Sequence, residues 1–135
     1  MSEIDPFATK FVDMNYPWSV QLGDLRDVDG HGYDAIIGGT PCVNLSSLGK
    51  RDGLKDLTTG EVLDTPEKYF EAKFAGHEIT PSSLVYEFKR ILDEARESGN
   101  DPKFMLENVA SMSNKWRDHI SNLMDVRPLI LGLFK

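Results

Sequence analysis

The sequence lacks several features that define other classes of protein. It holds a single cysteine in 135 residues, so no internal disulfide can form and nothing points to an oxidising compartment. Its longest apolar runs, 35–37 and 128–131, fall far short of the ~20 residues that a membrane-spanning helix needs. The first five residues, Met1 to Asp5, show no basic-then-apolar signal pattern. We therefore expect a cytoplasmic protein that does not associate with membranes.

Positive charge is also scarce. Fifteen lysines and arginines face 22 aspartates and glutamates, which gives a formal net charge of −7. A protein that binds DNA on its own normally presents a basic face, because cations must displace the counterions of the phosphates. Any contact with DNA would therefore need locally clustered cations or cations from another source. The remaining composition, 40% hydrophobic and 27% charged, is that of one ordinary globular domain.

Histidines are few and scattered. His31, His77 and His119 have none of the spacings that metal ligands show, so we expect no metal. None of the three lies in a recognisable strand-end motif, which leaves a cysteine hydrolase without its histidine partner.

Hydrophobic periodicity predicts that helices and strands alternate along the chain. The strongest helix covers Pro81–Glu97, with apolar residues on one stripe and charged ones, including Glu87, facing elsewhere. Ser82 or Ser83 is predicted to cap its start and Gly99-Asn100 to end it. Such alternation favours an α/β fold with a mostly parallel sheet. The other predicted helices are 6–14, 66–74 and about 116–124, and the predicted strands are 20–22, 34–37, 104–106 and 128–131.

Reactive residues follow two of the predicted strands. Gly38-Gly39, read as a tight turn, leads into Thr40-Pro41-Cys42, and Glu107-Asn108-Val109 follows the strand at Phe104. Ligands of parallel sheets bind at the carboxyl ends of strands, and the helix 81–97 is a suitable crossover between these two. We therefore expect Cys42 and Glu107 to share a pocket. Taken alone, each has a plainer interpretation, a buried filler cysteine and a surface carboxylate.

These motifs resemble those of a known family. Residues 38–54, GGTPCVNLSSLGKRDGL, resemble the catalytic loop of the DNA cytosine-5 methyltransferases of phages and bacterial restriction systems. Residues 83–92 look like the family's helix between its catalytic motifs, and 104–109, FMLENV, like the motif with its catalytic glutamate. Residues 2–5 and 23–25 are similar to its two segments that contact the methyl donor. The similar segments occur in the family's order along nearly the whole chain.

The resemblance implies a reaction and roles for four residues. Cys42, preceded by Pro41, would be the nucleophile that adds to carbon 6 of cytosine and so activates carbon 5. Glu107 would act as an acid at ring nitrogen 3, and burial at the strand end would keep it protonated. Asn108 would hold Glu107 and the Pro-Cys segment. The target cytosine would have to flip out of the DNA duplex.

The resemblance also implies a fold and a methyl donor. The expected fold is a partial Rossmann-like domain over residues 1–135, with a doubly wound, mostly parallel sheet. Glu3, Asp24 and Leu25 would contact the ribose and adenine of S-adenosylmethionine, the co-substrate. Lys50 and Arg51 are either a phosphate contact or an ordinary solvated pair.

Some of the family's segments have no counterpart in the sequence. These are the first strand with its Phe-x-Gly-x-Gly turn, the Gln-Arg-Arg-x-Arg segment and the target-recognition domain, and Thr40 replaces a more usual serine. We expect weak donor binding and exposed apolar surface that a second methyltransferase subunit or a homo-oligomer would cover. The leading hypothesis is a catalytic segment that is incomplete alone. The alternative is a non-catalytic methyltransferase remnant that acts as an interaction protein.

Overall fold

The computed structural model of the protein describes residues 1–49 and 51–130. Its longest helix, α3, covers Val85–Glu97, and the other helices are α1 (Pro6–Asn15), α2 (Pro66–Phe74) and α4 (Asn114–Met124). The strands are β1 (Ala35–Gly39) and β2 (Lys103–Glu107), and two 3₁₀ turns cover Leu25–Asp27 and Pro81–Leu84. The four predicted helices are confirmed, as are the two central strands.

The two strands pair in parallel, with α3 as their crossover. The register runs from Ala35 opposite Lys103 to Gly39 opposite Glu107. Gly38 and Gly39 therefore belong to β1, and the prediction of a tight turn there is wrong. Gly39 has the tighter surroundings of the two, whereas a side chain at Gly38 would make only an ordinary contact. A Cβ on Gly38 would lie 3.6 Å from the Phe88 ring, and one on Gly39 would lie 3.1 Å from the Glu107 carboxylate.

Helix α3 is amphipathic, but its start differs from the prediction. It continues directly from the 3₁₀ turn Pro81–Leu84 without a side-chain cap. Ser82 and Ser83 are fully buried and bond to Asn44 and Thr80 instead, so neither is free to cap the helix. The helix ends before Gly99, whose φ of +82° is the left-handed conformation that favours glycine.

Glu87 is the second departure on α3. The charge pattern places it away from the apolar stripe, yet its side chain is completely buried. A buried carboxylate is stable only when hydrogen bonds and cations replace the lost water. Its partners, described below, come from two helices.

The other helices begin at the caps that their sequences offer. Asp5 accepts hydrogen bonds from the Phe7 and Ala8 amides at the start of α1. The hydroxyls of Thr65 and Ser113 do the same for α2 and α4.

Two predicted strands are wrong. Residues 20–22 form no strand; Leu22 donates to the Met1 carbonyl, and a single parallel bridge joins Ser2 to Gly23. Residues 128–130 are not in a strand either, because no neighbouring segment of the described chain pairs with them. Leu131, the last residue of that prediction, lies outside the described residues.

The hydrophobic core covers only one face of the sheet. Ile36, Phe104 and Leu106 pack toward it, whereas Ile37 and Met105 on the other face are 70% and 58% exposed. The α/β class and the parallel pairing are confirmed. Within residues 1–49 and 51–130, however, no second layer covers the other face as in a doubly wound sheet. The core consists of Leu45, Leu54, Leu63, Tyr69, Ala72, Val85, Tyr86, Phe88, Leu92, Trp116 and Met124.

None of the helices in the described part of the chain is both long and apolar enough to cross a membrane.

Candidate active site

The carboxyl ends of β1 and β2 lie side by side. Gly39 is opposite Glu107, so the segments Thr40-Pro41-Cys42 and Asn108-Val109 leave the sheet from neighbouring positions. In parallel sheets this edge is where ligands bind. The topology thus brings the two sequence motifs together from positions 65 residues apart.

A side-chain hydrogen bond ties the two segments to each other. Asn108 Nδ2 donates to Thr40 Oγ1 at 3.3 Å, and Asn108 Oδ1 accepts from the Val109 amide at 2.8 Å. Thr40 is buried, so its hydroxyl depends on this partner. A serine would offer the same hydroxyl, and the threonine at position 40 therefore preserves the contact.

Cys42 lies on a short turn next to the tied strand ends. Its carbonyl accepts hydrogen bonds from the Leu45 and Ser46 amides at 2.9 and 2.8 Å. The buried Asn44 amide donates to Ser82 Oγ at 3.2 Å, which attaches the turn to the start of the crossover helix. The Cys42 thiol is free and partly exposed. A thiol on a fixed turn with access to solvent can reach a reactant, whereas a core cysteine cannot.

Glu107 is the last residue of β2, and its environment differs from the expected one. Strand alternation places it on the same face as Ile37 and Met105, which the described residues leave uncovered. Its side chain is consequently exposed, and the predicted burial is wrong for the chain by itself. Its carboxylate lies over Gly39, where a Cβ would be 3.1 Å from it, so a larger residue would require this side chain to shift.

Glu3 and Asp24 each directly follow a residue of a second parallel pairing, a single β-bridge. The bridge between Ser2 and Gly23 directly precedes them, and Ser2 Oγ donates to the Gly23 carbonyl at 2.8 Å. The two carboxylates therefore start from adjacent positions. Among the described residues, no backbone pairing joins this pair to β1 and β2. The structure thus brings the predicted site residues together as two separate groups.

Hydrogen bonds fix both acidic side chains of this second group. Glu3 Oε1 accepts from the Ile4 and Asp5 amides at 2.7 and 2.9 Å. The Arg26 guanidinium bonds to both Asp24 oxygens and, with the Arg26 amide, holds the pKa of Asp24 below its ordinary value. Asp24 is therefore an ionised acceptor at neutral pH. Leu25 begins the 3₁₀ turn that follows it.

A cavity that the sequence does not reveal lies beside the Cys42 turn. Its volume is about 350 Å³, and Arg51, one of the two predicted phosphate contacts, lines it. Lys50, the other, is outside the described residues. Gly53 allows the Trp116 ring to close one side, since a Cβ there would lie 2.4 Å from the ring. The sequence offers one hint of this wall of the cavity: Ser113 is a residue type that favours the start of a helix, here α4. The other lining residues are Asn44, Leu45, Ser111, Ser113 and Trp116.

Each histidine has a protein partner. Ligand atoms of Asp29, His31 and Glu94 lie within 4.8 Å of one another. His31 Nδ1 bonds to Asp29, however, and Glu94 bonds to Arg90 and to the Gly30 amide, so these contacts account for the cluster. His77 bonds to Asp56 at 2.7 Å, and His119 bonds to Tyr86 at 2.8 Å.

Comparison with known proteins gives matches of one kind. The family model of the C-5 cytosine-specific DNA methylases matches residues 1–64. The type II methyltransferase M.Eco47II of Escherichia coli is 37% identical over 92 residues, 64% of this chain and 20% of that protein. M.NgoMIV of Neisseria gonorrhoeae is 35% identical over 123 residues, 88% of this chain and 32% of that protein. M.NlaIV of Neisseria lactamica is 29% identical over 114 residues, 82% of this chain and 21% of that protein.

The family model and the three relatives point to the same class, the C-5 cytosine-specific DNA methylases, and the α/β structure is compatible with it. Residues 1–64 match this family and most of the chain is similar to its type II methyltransferases, so the predicted resemblance is confirmed. The chain spans 20% to 32% of the length of these curated relatives.

Proposed function

We propose that residues 1–135 form a partial catalytic domain of a DNA cytosine-5 methyltransferase and contain its catalytic segment. One observation carries the proposal. The parallel register places Gly39 opposite Glu107, and the Asn108–Thr40 hydrogen bond ties the cysteine segment to the glutamate segment. This arrangement supplies a nucleophile and an acid on neighbouring strand ends, the two groups that activation of cytosine requires.

In the proposed reaction, Cys42 and Glu107 act on opposite parts of the ring. The Cys42 thiolate forms a bond to carbon 6 while Glu107 donates a hydrogen bond or proton to nitrogen 3, so that carbon 5 becomes nucleophilic. Carbon 5 takes the methyl group as the bond from that methyl to the donor sulfonium breaks. Water then removes the proton from carbon 5, the Cys42–carbon 6 bond breaks to release the thiolate, and nitrogen 3 returns any proton it received to Glu107, which restores the ring. A bound cytosine would cover the Glu107 carboxyl group, which is exposed in the chain by itself.

We assign the donor, S-adenosylmethionine, to the second group of residues. The ionised Asp24 carboxylate and the neighbouring Glu3 offer hydrogen-bond acceptors, which suit ribose hydroxyls and the adenine amino group. Leu25 would add apolar contact to the adenine ring. The positively charged sulfonium leaves as a neutral thioether when the methyl group is transferred. The proposed transfer therefore needs no metal to stabilise a leaving group.

DNA is the proposed substrate, and its binding requires cations beyond those of this chain. The net charge of −7 opposes contact with phosphates. We therefore propose that a second methyltransferase subunit or a separate recognition region provides most of the DNA contact. The proposed setting is the cytoplasm.

A trapping experiment tests the catalytic role of Cys42. The chain is mixed with S-adenosylmethionine and DNA containing 5-fluorocytosine, with and without a polypeptide that carries the family's Phe-x-Gly-x-Gly and Gln-Arg-Arg-x-Arg segments. Fluorine at carbon 5 blocks the final elimination, so a covalent protein–DNA adduct should accumulate. Cys42→Ala should abolish the adduct and Cys42→Ser should leave at most a trace, whereas the neighbouring control Val43→Ala should retain it. A wild-type chain that binds both donor and DNA but forms no adduct would refute the proposal.

The second candidate function is that of an interaction protein without catalysis. It is favoured by exposed apolar side chains: Phe7 is 84% and Phe11 60% exposed, and Met14, Ile37 and Met105 are exposed as well. Surfaces of this kind are typical of contact sites between proteins. Sedimentation should show self-association or binding to a methyltransferase subunit. A compact monomer at high concentration that binds no such subunit would refute this candidate.

A further inference from the structure

We propose that Arg90 is a positioning residue that holds the Asp24-Leu25 segment in place for the methyl donor; the inference rests on the proposed function. Arg90 lies on α3, far from this segment in sequence. Its Nη2 nevertheless donates to the Leu25 carbonyl at 3.2 Å and to the Val28 carbonyl at 2.9 Å. These two bonds attach the 3₁₀ turn 25–27 to the helix from both ends.

The guanidinium is itself fixed by two carboxylates. Arg90 Nε donates to Glu87 Oε2 at 2.7 Å, and Nη1 donates to both oxygens of Glu94 at 2.7 and 2.8 Å. Glu87 is 0% exposed, so water cannot replace the arginine there. A planar guanidinium held in this way presents its remaining donor in one direction, toward the turn.

A second contact attaches the end of this segment, at Gly30, to α3. Glu94 Oε2 accepts the Gly30 amide at 2.7 Å, and Val28 is buried. A Cβ on Gly30 would lie 2.4 Å from the Ile91 carbonyl oxygen, so only glycine allows this approach to the helix. Residues 25–30 are therefore attached to α3 by three hydrogen bonds.

Helix α3 also contacts the strands of the candidate active site. Phe88 lies against Gly38 of β1, and its ring packs on Phe104 of β2 with centroids 6.4 Å apart. One helix thus carries both the catalytic strands and the donor segment. Through Arg90, it sets where Asp24 and Leu25 lie relative to Cys42.

Glu87 supplies a matched control. Besides Arg90, it binds Tyr69 at 2.9 Å and Lys73 at 2.6 Å. Lys73→Met removes a cation from the same buried carboxylate, and Lys73 forms its hydrogen bond with Glu87 and none with residues 25–30. If Arg90 only stabilises the fold, Lys73→Met and Arg90→Lys should have the same effects. If Arg90 positions the segment, only Arg90→Lys should change donor binding, because an ammonium cannot bond to two carboxylates and two carbonyls at once.

The experiment is an NMR titration of the full chain with S-adenosylmethionine up to millimolar concentration. We follow donor-dependent shifts of the amides at 3–5 and 23–25 and, separately, hydrogen exchange of the Asp27, Val28 and Gly30 amides. Arg90→Lys should weaken donor affinity about tenfold and speed exchange of these amides by a similar factor. Lys73→Met should leave both unchanged while it lowers the midpoint of unfolding. Glu94→Gln, which keeps the side-chain shape and should fold even if Arg90→Lys does not, should weaken donor affinity about threefold.

Each outcome decides between the proposals. Equal donor affinity in the wild type, Arg90→Lys and Glu94→Gln would overturn the positioning role, as would an equal loss in Lys73→Met. A wild type without any donor-dependent shift would refute both the donor site and the positioning role. Donor shifts that depend on Arg90, combined with bound DNA that forms no covalent adduct, would refute the catalytic proposal alone.

Discussion

Two regions of the molecule are held together by different forces. In residues 1–24, α1 buries no residue, and its apolar side chains Phe7 and Phe11 lie in solvent. The body of the chain is centred on α3, which buries seven residues, including Leu92 and Glu87. The first region depends on local hydrogen bonds, such as those of Asp5 at the start of α1. On our proposal, the position of the donor segment is set by the body through Arg90, because α1 of the amino-terminal region buries no residue that could fix it.

Loss of the buried carboxylate should have the largest effect on stability. Glu87→Ala leaves Arg90, Lys73 and the Tyr69 hydroxyl without their shared acceptor inside the body. We expect a fall of about 4 kcal/mol in the free energy of unfolding, measured by urea denaturation. Glu71→Ala on the exposed side of α2 is the control and should change stability by less than about 0.5 kcal/mol. A small effect of Glu87→Ala would show that the body does not depend on this network.

Removing a buried apolar side chain from the body should lower the free energy of unfolding nearly as much, whereas removing an exposed one from α1 should not. Leu92 is fully buried, and Leu92→Ala should cost about 3 kcal/mol through lost packing and a cavity. Phe11→Ala removes a larger side chain, but from a helix that buries nothing, and should cost less than about 0.5 kcal/mol. Both values come from the same denaturation experiment. Comparable losses for the two variants would contradict the division into two regions.

The two regions also differ in how well the sequence predicts them. The end of α3, the pairing of β1 with β2 and the meeting of their ends follow from the sequence pattern and from the topology of parallel strands, whereas the start of α3 does not. The burial of Glu87 could not be predicted, because its partners Tyr69 and Lys73 come from another helix. The exposure of Glu107 was missed for a similar reason. Alternation along a strand gives its face, but only the tertiary structure shows whether anything covers that face.

Loss of the hydrogen bond between Asn108 and Thr40 should lower the free energy of unfolding by a moderate amount. Thr40→Val removes the hydroxyl that accepts from Asn108 Nδ2 and should cost about 1 kcal/mol of stability. Thr40→Ser keeps the hydroxyl and should retain most of it. If adduct formation by the complemented chain is measured as well, the valine variant should be slower than the serine variant. Equal rates would mean that the tie does not orient Cys42 and Glu107.

The smallest expected effect is on how the free energy of unfolding changes with pH in the acid range. Burial pushes the pKa of Asp56 upward, but hydrogen bonds from the His77 imidazole and the amides of Thr59 and Thr58 outweigh it and lower the pKa to about 2. A lowered pKa in the folded state means that Asp56 stabilises the fold above its ordinary pKa of 3.8 and loses this contribution as the pH falls toward 2. Asp56→Asn should therefore flatten the fall in stability between about pH 4 and pH 2.

Asp24 gives the matching test in the amino-terminal region. Its pKa is also lowered, chiefly by the hydrogen bond from Arg26, but this pair lies at the surface, where water and salt screen it. Asp24→Asn should leave the acid limb of thermal unfolding almost unchanged. An equal flattening by both variants would show that the amino-terminal pair contributes to folding as much as the buried Asp56 does. The two regions would then be held together by similar forces after all.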